Sequence, residues 1–151
     1  MNRQAERDKK VKQLQAVVDK KSAEIKRADV PYAWKTTSTF AYEQGKSGGV
    51  HLAGVTNVEK LIDIVAFLLD KSTKYLEAAR ILGVPKKRTD FLWNGYTVDD
   101  WIKDCEARVN KIQLRKKKTE LKQLEEKLST LLSADAKADD DLAAIEALLG
   151  D

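Results

Sequence analysis

The chain has 151 residues, of which 42% are hydrophobic, 34% charged and only 7% aromatic. This composition indicates one small helix-rich domain, or a helical hairpin with an insert, rather than two full domains. The single cysteine excludes an internal disulfide, and the longest apolar run is far shorter than the roughly 20 residues of a membrane span. The charged N-terminus lacks the apolar segment of a signal peptide, so we expect a cytoplasmic protein without a membrane contact.

The formal net charge of +4 conceals a basic body followed by an acidic tail. Residues 133–151 contain six acidic groups and one basic group. A block of one charge sign can fold back as an internal counter-charge or serve as a docking segment. The sequence leaves both interpretations open.

Residues 1–30 are predicted to form an N-terminal helix. They contain no Gly and no Pro, and Val11, Leu14, Val18 and Ile25 recur at helical spacing. This apolar seam is too narrow for a globular core, so the helix must lie along a partner helix as in a coiled coil. Pro31 ends it.

Residues 31–98 are predicted to form a compact central knob. Alternating side chains from Trp34 to Tyr42 indicate a β-strand, and a glycine-rich turn at 44–49 would return the chain at Val50 to complete one β-hairpin. Two short helices follow. The first has Thr56 and Glu59 as a capping box.

The second helix of the knob is expected to begin at about Ser72 and to end at Gly83, a left-handed C-cap. The segment from Pro85 to Tyr96 is interpreted as a connector whose aromatic side chains plug the end of the core.

Residues 99–132 are predicted to form one long helix that begins at Thr97 as its N-cap. It carries two apolar seams displaced from each other by a register change, and the second matches the narrow seam of the N-terminal helix. The expected fold is therefore mainly α, a long antiparallel coiled-coil helical hairpin of the terminal helices with a central α+β knob. The same seams could instead pair copies of the chain into a homo-oligomer.

Residues 133–151 are predicted to form an acidic amphipathic helix that is stable only when docked. Its apolar face makes it the predicted partner-binding segment. The residues of that face are Leu142, Ile145, Leu148 and Leu149.

No catalytic or metal-binding constellation is visible. A metal site or a nucleophile pair would depend on His51 and Cys105, which have no ligand spacing around them. Gly45 to Gly49 contains a Gly-Lys-Ser triplet but lacks the earlier glycine of a phosphate loop, and a hairpin loop is the simpler interpretation. We expect no enzyme activity and no cofactor.

Clustered cations offer an alternative function, which is binding of nucleic acid or a nucleotide. Trp34 or Trp93 would then serve as a stacking platform. A solvated face of a coiled-coil helix is the simpler interpretation of the same charges. The cluster comprises Lys86, Lys87, Arg88, Trp93, Arg115, Lys116, Lys117 and Lys118.

Two resemblances bear on function. Residues 77–84 (EAARILGV) resemble the first helix and turn of helix-turn-helix DNA-binding domains, but the residues that follow leave no room for a recognition helix. The aromatic hairpin, the Val58-Glu59 helix start and the segment from Phe91 to Trp101 before a Lys-rich helix are similar to small accessory proteins of tailed bacteriophages. That resemblance implies action in the host cytoplasm by binding a host protein or a signalling nucleotide.

The sequence thus favours a non-enzymatic protein–protein interaction module.

Overall fold

The computed structural model describes residues 3–43, 49–133 and 145–149, and the protein is mainly helical with two small β-hairpins. The elements are α1 (Arg3–Ala28), β1 (Thr39–Phe40), β2 (Val50–His51), α2 (Val58–Ile81), β3 (Leu92–Trp93), β4 (Tyr96–Thr97) and α3 (Val98–Ser133). Short 3₁₀ turns occur at Leu52–Gly54 and Arg88–Asp90. The chain divides into two compact units. The terminal unit comprises Met1–Val30 with Leu114–Asp151, and the central unit comprises Pro31–Gln113.

In the terminal unit, α1 and the C-terminal part of α3 pack against each other. Arg7 near the start of α1 donates a hydrogen bond to the carbonyl of Leu131, and Asp29 just after α1 pairs with Lys118 at 2.7 Å. These contacts make the two helices antiparallel. The core of this unit contains the narrow seams that the sequence predicted, with the buried residues Val11, Leu14, Val18, Leu128 and Leu131. Ile145 of the C-terminal segment is buried in the same core.

The central unit has its own core, which α2, the first part of α3 and the two hairpins enclose. Trp101 is completely buried and contacts Phe40 edge-to-face, with ring centroids 5.0 Å apart. The indole N–H of Trp93 donates to the carbonyl of Ala41 at 2.7 Å, which joins the second hairpin to the first. The two apolar seams of α3 therefore serve two different cores.

The second hairpin corrects the prediction that residues 85–96 are only a connector. β3 and β4 pair antiparallel across Asn94-Gly95, whose φ angles are 49° and 86°. Positive φ at both central residues is typical of the type I′ turn, whose twist matches that of the two strands in a two-residue hairpin. The knob therefore contains two hairpins rather than one.

The predicted long strand from Trp34 to Tyr42 was also wrong, because only Thr39–Phe40 pairs with β2. The backbone N–H groups of Lys35 and Thr36 donate to the side chain of Asp104 instead of to a neighbouring strand. Their hydrogen bonds are satisfied without a sheet.

The prediction of two short helices in the knob is replaced by one continuous helix, α2. Ser72 does not begin a helix, because its hydroxyl donates to the carbonyl of Leu69 at 3.1 Å within α2. The N-cap is Asn57, whose side chain accepts from the N–H of Glu59, and not Thr56. Two other predicted helix ends are confirmed. Gly83 follows α2 with a positive φ of 68°, and the Thr97 hydroxyl before α3 accepts a hydrogen bond from the N–H of Asp100.

Candidate functional site

An apolar groove of about 500 Å³ lies between α2 and the first part of α3, within the central unit. We call it the α2–α3 groove. Two of its large apolar side chains are open to solvent, since Ile62 is 50% exposed and Leu69 is 40% exposed. The groove is lined by Leu61, Ile62, Val65, Ala66 and Leu69 of α2 and by Ile102, Cys105, Glu106, Val109, Asn110 and Gln113 of α3.

The groove exists because α2 is apolar on more than one face. Leu61, Ile64 and Leu68 recur at helical spacing and are buried in the core of the central unit. A second stripe, with Ile62 and Leu69 seven residues apart, follows the neighbouring face of the same helix and stays at the surface. A helix that only had to cover one core would carry polar residues there.

The side chains that line the groove carry almost no charge. Glu106 is the one charged side chain among the described residues that line it, and it is exposed. Burial raises the pKa of the Cys105 thiol to about 11, so this wall residue is a protonated, apolar group at neutral pH. The groove therefore offers apolar area and a single negative charge.

A second constellation of the central unit surrounds Asp104. This completely buried carboxylate accepts hydrogen bonds from the Tyr32 hydroxyl at 2.7 Å, the Lys35 N–H at 3.0 Å, and both the N–H and the hydroxyl of Thr36. Burial by itself would raise the pKa of Asp104, but these hydrogen bonds outweigh it and hold the pKa below its ordinary value. Asp104 thus fixes the extended segment before β1 to α3.

The predicted partner-binding segment lies against the terminal unit of its own chain. Ile145 is completely buried, and Leu148 and Leu149 are half-buried against the same core. Lys10 of α1 pairs with Glu146 at 3.1 Å. Leu142 lies outside the described residues. Three of the four predicted docking residues therefore already have apolar neighbours within the chain.

The predicted basic cluster is divided between the two units. Lys86, Lys87 and Arg88 are exposed in the central unit, where Arg88 pairs with Asp99 at 3.0 Å. Trp93 of the same unit is only 8% exposed. It is thus a core residue with little surface for stacking. Arg115, Lys116, Lys117 and Lys118 are exposed on the part of α3 that belongs to the terminal unit.

The two residues on which a metal site or a nucleophile pair would depend, Cys105 and His51, differ in their exposure to solvent. Cys105 is buried at the groove, whereas His51 is exposed on β2 with its Nδ1 atom 3.5 Å from the Thr39 hydroxyl. In the described part of the chain, no group of three His, Cys, Asp or Glu side chains is arranged to hold a metal ion. Most of the glycine-rich loop, residues 44–48, lies outside the described residues.

Sequence reasoning missed Asp104 and Arg108, which α3 carries one turn apart with both side chains buried. A signal was present, because both charges interrupt the face of α3 that carries Trp101, Cys105 and Ile112. A charged residue on a buried face needs a partner.

Comparisons with protein-family models, with curated proteins and with solved structures found no match to this chain. Among the described residues, no helix is long and apolar enough to span a bilayer.

Proposed function

We propose that the protein is a non-enzymatic interaction module whose α2–α3 groove binds an amphipathic helix of a partner protein. The observation that carries the proposal is the half-exposed apolar stripe of Ile62 and Leu69 beside a groove of about 500 Å³. Apolar grooves between helices bind amphipathic helices through side chains spaced three, four and seven residues apart. The proposal moves the docking surface from the C-terminal segment to the central unit.

Charge defines the partner more closely. Glu106 is the charged group of the groove, so the partner helix should place Lys or Arg beside its apolar face. A second copy of this chain is a poorer occupant in a symmetric groove-to-groove dimer. Such an interface would bring two Glu106 carboxylates into one low-dielectric contact, and like charges repel there.

The test uses a displayed library of peptides of about 18 residues, which is five helical turns. Apolar residues occupy the positions spaced three and four apart, and all other positions vary. Peptides selected on the wild-type protein should be enriched in Lys or Arg. They should bind Ile62→Asp at least about 10-fold more weakly, because this change puts a charge into the apolar contact.

The matched control is Leu82→Asp, which adds the same charge at a side chain that is 76% exposed and lies outside the groove. It should leave the affinity unchanged. Glu106→Lys should invert the selection, so that peptides with Asp or Glu replace the basic ones. Peptides that bind Ile62→Asp and the wild type equally, or a library that gives no binder, would overturn the proposal.

Two finer expectations accompany this function. The antiparallel pair of α1 and α3 would act as a coiled-coil scaffold, which the buried seam of Leu14, Val18 and Leu128 supports. The sequence resemblance to phage accessory proteins leads us to propose a bacterial host protein as the source of the partner helix.

A further inference from the structure

Trp34 differs from the other two tryptophans of the chain. Trp93 and Trp101 are buried and donate their indole N–H groups to the carbonyls of Ala41 and Trp93. Trp34 is 42% exposed, and its indole N–H has no acceptor among the described residues. Buried Trp N–H groups usually find a partner within the protein, whereas an exposed one is open to water or to a ligand. Trp34 is therefore the one tryptophan of the chain whose ring is open to a ligand.

Arg108 lies over this ring. Its guanidinium carbon is 4.3 Å from the centroid of Trp34, and the residue is only 7% exposed. Its one hydrogen bond in the described part of the chain is a long contact of 3.5 Å to the backbone carbonyl of Asp104. Buried arginines are normally paired with a carboxylate. Here the Asp104 carboxylate is fully engaged by the segment that contains Thr36, so the Arg108 charge is not neutralised by a direct ion pair.

Lys111 adds a second cation one turn further along α3. Its ammonium is 5.7 Å from the centroid of the Trp34 ring, and its side chain is exposed. Tyr32 completes the cluster, with its ring edge-to-face to Trp34 at 5.0 Å. We call these four residues, Tyr32, Trp34, Arg108 and Lys111, the Trp34 cluster.

The Trp34 cluster is held in place before any ligand arrives. Asp104 binds the segment on both sides of Trp34, through the hydroxyl of Tyr32 and the N–H groups of Lys35 and Thr36. The Trp34 indole is thereby held against Arg108, which lies on α3 together with Asp104. A preorganised site loses less conformational entropy when a ligand binds.

We propose that the Trp34 cluster is a binding site for a nucleotide unit, that is, a base attached to a phosphate. The exposed part of the indole provides a surface on which a base can stack, and the exposed Lys111 ammonium provides donors for the phosphate. The buried charge of Arg108 against the ring adds to the positive potential at this site. A free mononucleotide and the 5′-phosphorylated end of a single strand share this chemistry. The site is independent of the α2–α3 groove and of the basic residues at 86–88 and 115–118.

The test is isothermal titration of the full chain with AMP, GMP, a 5′-phosphorylated oligothymidylate and inorganic phosphate. Mononucleotide or phosphorylated-end binding should fall about 10-fold or more in Trp34→Leu, which removes stacking. Lys111→Glu should weaken it by a similar factor. The matched control Lys103→Glu makes the same charge change on α3 outside the cluster and should have no effect. Circular dichroism shows that each variant is folded.

Each other outcome contradicts the proposal. Inorganic phosphate that binds as tightly as AMP would make the cluster a simple anion site. Oligonucleotide binding that survives Trp34→Leu but is lost in Lys116→Glu/Lys117→Glu would show backbone attraction elsewhere on α3. Binding only to vesicles of anionic phospholipid, with none to the nucleotides, would assign the exposed aromatic and basic side chains to a membrane surface. Binding to none of these probes would also overturn the proposal.

Discussion

Asp104 on α3 and Thr36 in the extended segment before β1 are joined by two hydrogen bonds, one from the Thr36 N–H at 2.7 Å and one from its hydroxyl. They are 68 residues apart in the chain. These two hydrogen bonds explain why the segment is ordered without strand partners. They also set the position of Trp34, two residues earlier. The central unit therefore depends on a buried carboxylate as well as on its apolar core.

Replacing this carboxylate should destabilise the central unit. Asp104→Asn leaves one acceptor atom where several donors converge, and we expect it to lower the free energy of unfolding by about 3 kcal/mol. All three tryptophans belong to the central unit, so urea unfolding followed by tryptophan fluorescence measures the loss. The control is Asp70→Asn. It breaks only an exposed pair with Lys74 and should cost less than about 0.5 kcal/mol. Equal losses in the two variants would contradict the role of Asp104.

The Asp104 carboxylate should also make the stability of the protein fall at acid pH. Because the pKa of Asp104 in the folded protein is below its ordinary value of 3.8, its contribution is present above that value and is lost as the pH falls through the folded pKa. The stability difference between wild type and Asp104→Asn should therefore be largest near neutral pH and should shrink below about pH 4. Urea unfolding of both proteins across this range checks it. A difference that stays constant with pH would show that the ionised carboxylate is not the stabilising form.

Gly49, beside the first hairpin, should not tolerate a side chain. Its φ is +150°, and an added Cβ would come within 2.3 Å of the carbonyl oxygen of Phe40. We expect Gly49→Ala to lower the free energy of unfolding by about 2–3 kcal/mol. Gly54→Ala is the matched control, because an added Cβ there meets open space. If the two substitutions had the same effect in thermal unfolding, the described packing of Gly49 on Phe40 would be wrong.

The C-terminal segment should stabilise the terminal unit from within. Ile145 is completely buried in the seam with Leu14 and Val18, so Ile145→Ala should cost about 2–4 kcal/mol. Leu132→Ala removes a similar apolar volume from a side chain that is 63% exposed, and it should cost less than about 0.5 kcal/mol. Helical circular dichroism during urea unfolding gives both values. A negligible loss in Ile145→Ala would show that the segment is free to meet a partner.

Periodicity predicted the two long terminal helices well. The seam from Val11 to Ile25 consists of apolar residues at helical spacing in a stretch without Gly or Pro, and all four of its residues are buried. Local chemistry also predicted the helix end at Gly83 and the cap at Thr97, since a left-handed C-cap and a hydroxyl N-cap depend on neighbouring residues only.

Some errors arose where distant contacts decide the structure. The strand predicted from Trp34 was lost because Asp104, far along the chain, takes the backbone donors that a sheet would use. Other errors were local. The turn signal at Asn94-Gly95 was overlooked, a helix start was placed at Ser72 inside α2, and Thr56 was taken as the N-cap in place of Asn57.

Trp34 was named from the sequence as a stacking platform, but its grouping with Arg108 and Lys111 was not predicted. Neither this cluster nor the α2–α3 groove could be predicted as a whole, because each is assembled from segments whose proximity the sequence pattern does not encode.

Methyl NMR of the full chain, during titration with a selected basic amphipathic peptide, shows directly whether the α2–α3 groove is the partner-binding surface. The resonances of Ile62, Leu69 and Ile102 should shift together and saturate, while those of Val11 and Val18 in the terminal unit should stay in place. Shifts confined to methyl groups outside the groove, with Ile62 and Leu69 unchanged, would contradict the proposal.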